Sequence, residues 1–444
     1  MQTLLKSYLV VSLAGFTTLS FAGPSYINWT GGGAGETTDL YDADNWTGTP
    51  GTNYTVDAEG NGQQIESRGA GAANQYDTLS LRVRGTQGVT SASAPATSNA
   101  TNWEADSFNV GDFGTAYAKI DTGHTMTVYN ANVGQVTNAS PTNADGTLYV
   151  DGTLAVTNVL NIGANSANNA SLSAVTNGYT ATGHLVIGDG GNVDGYKTVN
   201  IGNRNSTISP GVTGTLTIQT GGSLNNDSDT QTDISATNLG TQGFVIGKWG
   251  GANATLNMNG GTANIYSLIL GDQTEDYTGQ TVNINMNDGE VRIMGWVNGD
   301  LDDSTVTRNL TMDEGVFYLT DTKSTTTGNY NNKRNEVLEL LGFFGDDADA
   351  ANDTYLGTLT ATVINGGLSD ATLIADFTNN YTSQTGQAEV NGGTIYWGRY
   401  ADKYTDANGI SYGEMAVWAV PEASSYSLIA GILAMTSIML RRRL

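Results

Sequence analysis

The sequence predicts an all-β fold, a right-handed parallel β-solenoid whose laps run to about 25 residues each. Three observations predict it. Apolar and polar residues alternate over short runs, as in Leu256-Asn257-Met258, Val282-Asn283-Ile284-Asn285-Met286 and Leu216-Thr217-Ile218, and a period of two puts one face of a strand into a core. An apolar residue, Asn or Asp and a glycine-bearing corner recur at Met258, Met286, Met312, Ile364 and Val390, separated by 28, 26, 52 and 26 residues. Glycine supplies 58 of 444 residues and proline only 6, a usage that suits many tight corners between short strands. A β-sandwich also alternates, but it gives no reason for a fixed period.

In chain order, residues 1–22 read as a signal peptide: Lys6 supplies a basic start, Leu9–Phe21 is mostly apolar, and Ser20-Phe21-Ala22 offers a small-residue cleavage site. Residues 23–105 read as an irregular β region capping the end of a stacked core, with Trp29 and Trp46 among its aromatics. The frame Ile27-Asn28-Trp29-Thr30-Gly31 to Asp44-Asn45-Trp46-Thr47-Gly48 resembles the start of exported, autotransporter-like β-repeat proteins. Ser91–Thr101 reads as a linker.

Residues 106–419 form the expected repeat body. Beside the Met-Asn-Gly corner, it carries an aliphatic-glycine pair at Val110, Val133, Ile162, Ile187, Ile201, Ile246 and Leu270. A Gly-Thr-Leu type triplet begins at Gly146, Gly152, Gly214, Gly357 and Gly393. The interval of 52 residues between Met312 and Ile364 suggests two laps with one degenerate, centred near residue 338. There, residues 333–345 show helical spacing at Val337, Leu338, Leu340, Leu341 and Phe344, which predicts an inserted helix. About 12 laps at ~4.8 Å each give a rod on the order of 55 Å.

The final segment, residues 420–444, is of another kind. Val420-Pro421-Glu422 precedes the 17-residue stretch Ser424–Leu440, whose apolar run is Leu428–Leu440, and Arg441, Arg442 and Arg443 follow it before Leu444. That stretch is at the lower edge of bilayer-spanning length, and the arginines hold its end on the cytoplasmic side. Pro421 keeps the segment before it extended, as a protease requires. This layout resembles the PEP-CTERM sorting tail, with Ala423 where that tail usually has a second proline. The resemblance implies recognition by an exosortase-type membrane protease. It also implies a transient membrane anchor through a C-terminal helix, and then release to the cell surface or extracellular matrix.

The formal charge of −25 makes nucleic acid a poor partner, whereas exopolysaccharide or matrix glycans remain open. The absence of cysteine excludes disulfides and thiolate metal sites. Asp300, Asp302 and Asp303 are candidate oxygen ligands for Ca²⁺, without an EF-hand spacing. Asp288, Glu290, Asp313 and Glu314 fall on the recurring corner, so repeat position accounts for them. His124 and His184 both follow Thr-Gly, which suggests equivalent slots two laps apart. No catalytic constellation and no cofactor motif emerges. The expectation is an exported structural or adhesive protein, with glycan or matrix contact through polar Thr/Asn ladders on its outer faces, and the alternative is a polysaccharide lyase or hydrolase on a β-helix.

Overall fold

The computed structural model describes residues 102–137 (113 excepted), 142–166, 177–195, 197–204, 211–226, 243–248, 251–271, 279–298 and 307–322, with the backbone of shorter strands on either side. The described part of the protein is all-β, with no helix among those residues. The strands pair in parallel into three ladders. In the first, Gly114–Ile120, Ala144–Val150, Ala181–Ile187 and Val212–Gln219 are followed by the opening parts of Ala252–Leu270 and Thr281–Asn298, then by Thr307–Met312 and Leu359–Val363. The second ladder joins the starts of Thr125–Val136 and Thr153–Asn165 to Asn192–Gly195, Ser223–Asn226 and Val316–Thr322. The third runs from Ser25–Asn28 and Leu79–Val83 through the end of Asn102–Val110 to Thr198–Arg204 and Gly243–Lys248. From residue 114 to 319 the chain visits first, second and third ladder in turn, then returns to the first one strand further along.

Alternation explains why the first and second ladders bury one side, whereas the third is largely buried on both. Leu148, Leu185, Leu216, Leu256, Ile284 and Leu310 form one column of the first ladder, every member buried. Val110, Val133, Ile162, Ile201, Ile246 and Leu270 form the matching column of the third. Each such side chain contributes about 1.5–3 kcal/mol on leaving water. Parallel in-register pairing puts like beside like, so one suitable residue type serves a whole column.

Where the third ladder turns back into the first, two rows of glycine interlock. Gly111, Gly134, Gly163 and Gly202 turn with φ near +70°, a conformation that side chains resist. They face Gly146, Gly183 and Gly214 on the first ladder so closely that backbone lies on backbone: Gly183 meets Gly163 N and Val133 O where a Cβ would sit. Along that first-ladder column the residues become Ala254, Val282 and Arg308. Gly202 now faces the Cβ of Ala254 and Gly247 a methyl of Val282, while buried Arg308 donates from Nε to Leu270 O at 3.0 Å. The walls therefore diverge toward the C-terminal end, and larger side chains fill the widening gap.

Several sequence expectations need correction. Laps are not of fixed length: successive members of the third-ladder valine–isoleucine–leucine column lie 23, 29, 39, 45 and 24 residues apart. The longer intervals include residues outside the described ones, and the strands on either side still pair in register. Ile187-Gly188 does not belong to the aliphatic-glycine column, because Ile187 lies in the first ladder between Val150 and Ile218. Met312 pairs directly with Val363, so the long interval after it is one lap rather than two. Of residues 333–345, only Phe343–Phe344 is described, and it is a strand paired antiparallel with Thr354–Tyr355; the remaining residues of the expected helix lie outside the described ones.

Both ends of the body differ as well. The boundary expected at residue 105 falls inside the strand Asn102–Val110, and Leu79–Val83 and Ser25–Asn28 extend the third ladder in parallel register. At the other end, Ser383–Val390, Gly393–Thr405 and Ser411–Pro421 pair antiparallel, the last also against Val316–Thr322. Val390 and Gly393 are partners across the two-residue connection Asn391-Gly392, a composition that favours a hairpin. The Asn-Gly-Gly that follows Met258 at a corner therefore follows Val390 where the chain reverses.

Candidate functional site

The acidic residues of the recurring corner are where repeat position puts them. Asp313, Glu314 and Gly315 turn back onto Met286 and Asn287 through backbone hydrogen bonds of 2.8–3.3 Å, and Glu290 opens the next strand beside Val316. The two histidines are not equivalents. His124 sits on a corner, its N–H donating to Asp121 O at 3.1 Å, after Gly123 at φ +83°. His184 is mid-strand between Thr147 and Thr215, so Gly183-His184-Leu185 is a variant of the Gly-Thr-Leu triplet. The matching letters conceal two backbone conformations, positive φ at Gly123 and extended strand at Gly183. Among the described residues no three His, Asp or Glu converge as a metal site, and Asp300, Asp302 and Asp303 lie outside the described residues.

At the C-terminal end, Val420 and Pro421 are extended, as expected, and pair with Thr394 and Gly393. The strand that carries them is anchored by buried Ala416, Val417 and Ala419. Glu422, the apolar run and Arg441, Arg442 and Arg443 lie outside the described residues. No helix among those described is long and apolar enough to cross a membrane.

The most ordered chemistry on the body is a set of side-chain columns perpendicular to the strands. On the third ladder Asn132 donates from Nδ2 to Asn109 Oδ1, Asn161 to Asn132 and Asn200 to Asn161, at 2.8–2.9 Å. This column is largely buried, and each amide from Asn132 on donates to the one before it where water cannot reach. It stops where Val245 follows Asn200 in register. On the outward side of the first ladder, Asn257 donates to Thr217 at 3.2 Å and Asn285 to Asn257 at 2.8 Å. One column over, Asn283 donates to Thr255 at 3.3 Å and Asn309 to Asn283 at 2.8 Å. All these bonds point the same way, toward the preceding lap.

The second ladder carries charge instead. Asn225 donates to Asn192 and Asp194, both at 3.1 Å, and Asn264 to Asn225 at 3.0 Å. Arg292 follows, 3.4 Å from Asn264 Oδ1 and 5.2 Å above the Tyr318 ring, a cation–π distance. On the first ladder, near the N-terminal end, Lys119 bridges Asp121 at 2.7 Å and Asp151 at 2.8 Å. Hydrogen bonds that the Lys119 ammonium donates to these two carboxylates, Asp121 first, raise the Lys119 pKa above its ordinary value, and partial burial opposes them. Sequence reading expects the outward Thr/Asn ladders but not the buried Asn109–Asn200 column, for which Asn at one offset in successive laps was the available signal.

No family model, no curated protein and no solved structure matches this chain.

Proposed function

We propose that the chain is an exported bacterial surface or matrix protein, structural or adhesive in role, whose body is a right-handed β-solenoid. The observation that carries this reading is the outward side of the first ladder, where Thr and Asn repeat in register and hydrogen-bond lap to lap. A surface built by repetition presents the same chemistry along its length, which suits contact with another extended, repeating material. Parallel pairing between successive visits to each ladder supports a solenoid over a sandwich, whose sheets are antiparallel.

Delivery rests on the two ends. Residues 1–22 direct export, and the tail from Val420 holds the chain in the membrane until an exosortase-type protease cuts near Val420-Pro421-Glu422. Arg441, Arg442 and Arg443 keep the discarded end inside. The strand ending at Pro421 ties the motif to the folded body, so the protease meets it at the edge of a finished domain. The test is a surface-fraction blot of wild type against Pro421→Ala and Glu422→Ala. The variants should keep the higher mass of the uncut chain and stay with the membrane; unchanged mass and location would remove the sorting reading. A polysaccharide turnover assay on the purified protein tests the role of the body. Turnover lost on neutralising Asp121 and Asp151 would replace the structural reading with an enzymatic one.

A further inference from the structure

We propose that the outward side of the first ladder, from Thr213 to Thr311, is a docking face for a neutral, unbranched polysaccharide chain. This rests on the reading of the body as a matrix protein and adds which face binds and which class of glycan it takes.

The chemistry of the face is selective. In four successive strands every outward side chain between these limits is threonine or asparagine, among them Thr215, Thr217, Thr255, Asn257, Asn283 and Asn285. No ionisable group interrupts them, in a chain with 43 acidic residues and a formal charge of −25. The neighbouring second ladder places Asp194, Glu290 and Arg292 on its outward side, and the first ladder itself carries Lys119 and Asp145 at its N-terminal end. Charge is therefore tolerated around the face and excluded from it. An acidic glycan would meet no cation here and would feel the net negative charge of the body, whereas a neutral one loses nothing to either.

The face is also preset. Each amide in the two bonded columns is held by the lap before it, and Asn257 and Asn283 also accept from the lap after. That fixes which atom is oxygen and which nitrogen. One N–H and one lone pair of each amide remain for a partner. These groups repeat about 4.8 Å apart along a column and about 7 Å apart along a strand. A flat grid of alternating donors and acceptors matches the hydroxyls of an extended sugar chain, which both donate and accept. Because the grid is already ordered, a ligand need not immobilise it.

The experiment is co-sedimentation of the purified protein with insoluble neutral glycans (cellulose, chitin, curdlan and mannan). Calcium alginate beads serve as the acidic probe, and adsorption to ice as the test of a merely hydroxyl-matching surface. Thr215→Glu and Thr281→Glu place charge on the face. Ala155→Glu places it on the outward side of the second ladder. Circular dichroism and thermal midpoints identify variants that fail to fold, and two independent substitutions on the face guard against one doing so. Wild type and Ala155→Glu should be retained on at least one neutral glycan, with retention at least tenfold lower in the two face variants. Retention on no neutral glycan, equal retention on alginate, adsorption to ice instead, or loss in Ala155→Glu alone would each overturn the assignment. None of these outcomes depends on the sorting tail, whose own blot fails or succeeds separately.

Discussion

Replacing Gly183 with alanine tests the interlocked glycines at their tightest point. Gly183 lies in extended strand, so the substitution carries no penalty from φ; its cost is steric. The new Cβ would fall on Gly163 N and Val133 O, with Gly163 Cα at 2.9 Å. All three are backbone atoms of stacked laps and cannot rotate aside. Overpacking of this kind typically costs 1–3 kcal/mol, and a contact that only backbone movement can relieve belongs at about 3 kcal/mol. With a slope of about 3 kcal/mol per molar urea, the unfolding midpoint should fall by about 1 M. Gly211→Ala is the matched control, since the nearest atom to its new Cβ is Gly251 O at 3.8 Å. It should raise stability by about 0.4–1 kcal/mol by restricting the unfolded chain. Tryptophan fluorescence during urea unfolding reads both. A Gly183→Ala midpoint within about 0.2 M of wild type would refute the reasoning, because a shift that small corresponds to well under 1 kcal/mol.

Further outcomes follow from the same geometry. Arg308→Ala should destabilise by about 3 kcal/mol, because it empties the widened end of that column, whereas Arg308→Met should cost about 1 kcal/mol or less; equal thermal midpoints for the two would show that the side chain does not fill space there. Asn132→Ala removes hydrogen bonds to Asn109 and Asn161 and strands both partners in a buried column, at about 2–3 kcal/mol. Asn287→Ala, on an exposed corner, should fall within about 0.5 kcal/mol of wild type, and urea titration compares them. Lys119 has a raised pKa in the fold, so its contribution is fully present below the ordinary lysine value of 10.5 and is lost as pH climbs through the higher folded value. Unfolding midpoints of wild type and Lys119→Met should therefore differ at neutral pH and converge in strong alkali. A gap that persists there would place the effect elsewhere.

The sequence made the strands legible because burial on one side writes a period of two. It made the first-to-second corner legible because Asn-Gly and Gly-Gly answer a local backbone demand. Lap length was not legible. In-register pairing fixes only which residues stack and not how many lie between them, as the intervals of 39 and 45 residues show. Similar letters also stood for different conformations: Ile187-Gly188 ends a first-ladder strand whereas Ile162-Gly163 turns out of the third. Asn391-Gly392 closes a hairpin where Asn259-Gly260 rounds a corner. The polar columns needed register before their members could be recognised as neighbours, since Asn132 and Asn161 are 29 residues apart in sequence and 2.8 Å apart in space.

Lap-by-lap parallel stacking is the claim on which the proposed surface depends, and the cysteine-free chain allows clean spin labelling in pairs. Thr182, Thr213, Asn253, Thr281 and Thr307 are successive members of one outward column, with Thr115 two strands before Thr182. At about 4.8 Å per strand, double electron–electron resonance should give roughly 19 Å for labels at Thr182 and Thr307 and roughly 29 Å for Thr115 and Thr307. Equal distances for the two pairs, or a shorter one for Thr115 and Thr307, would contradict the stack.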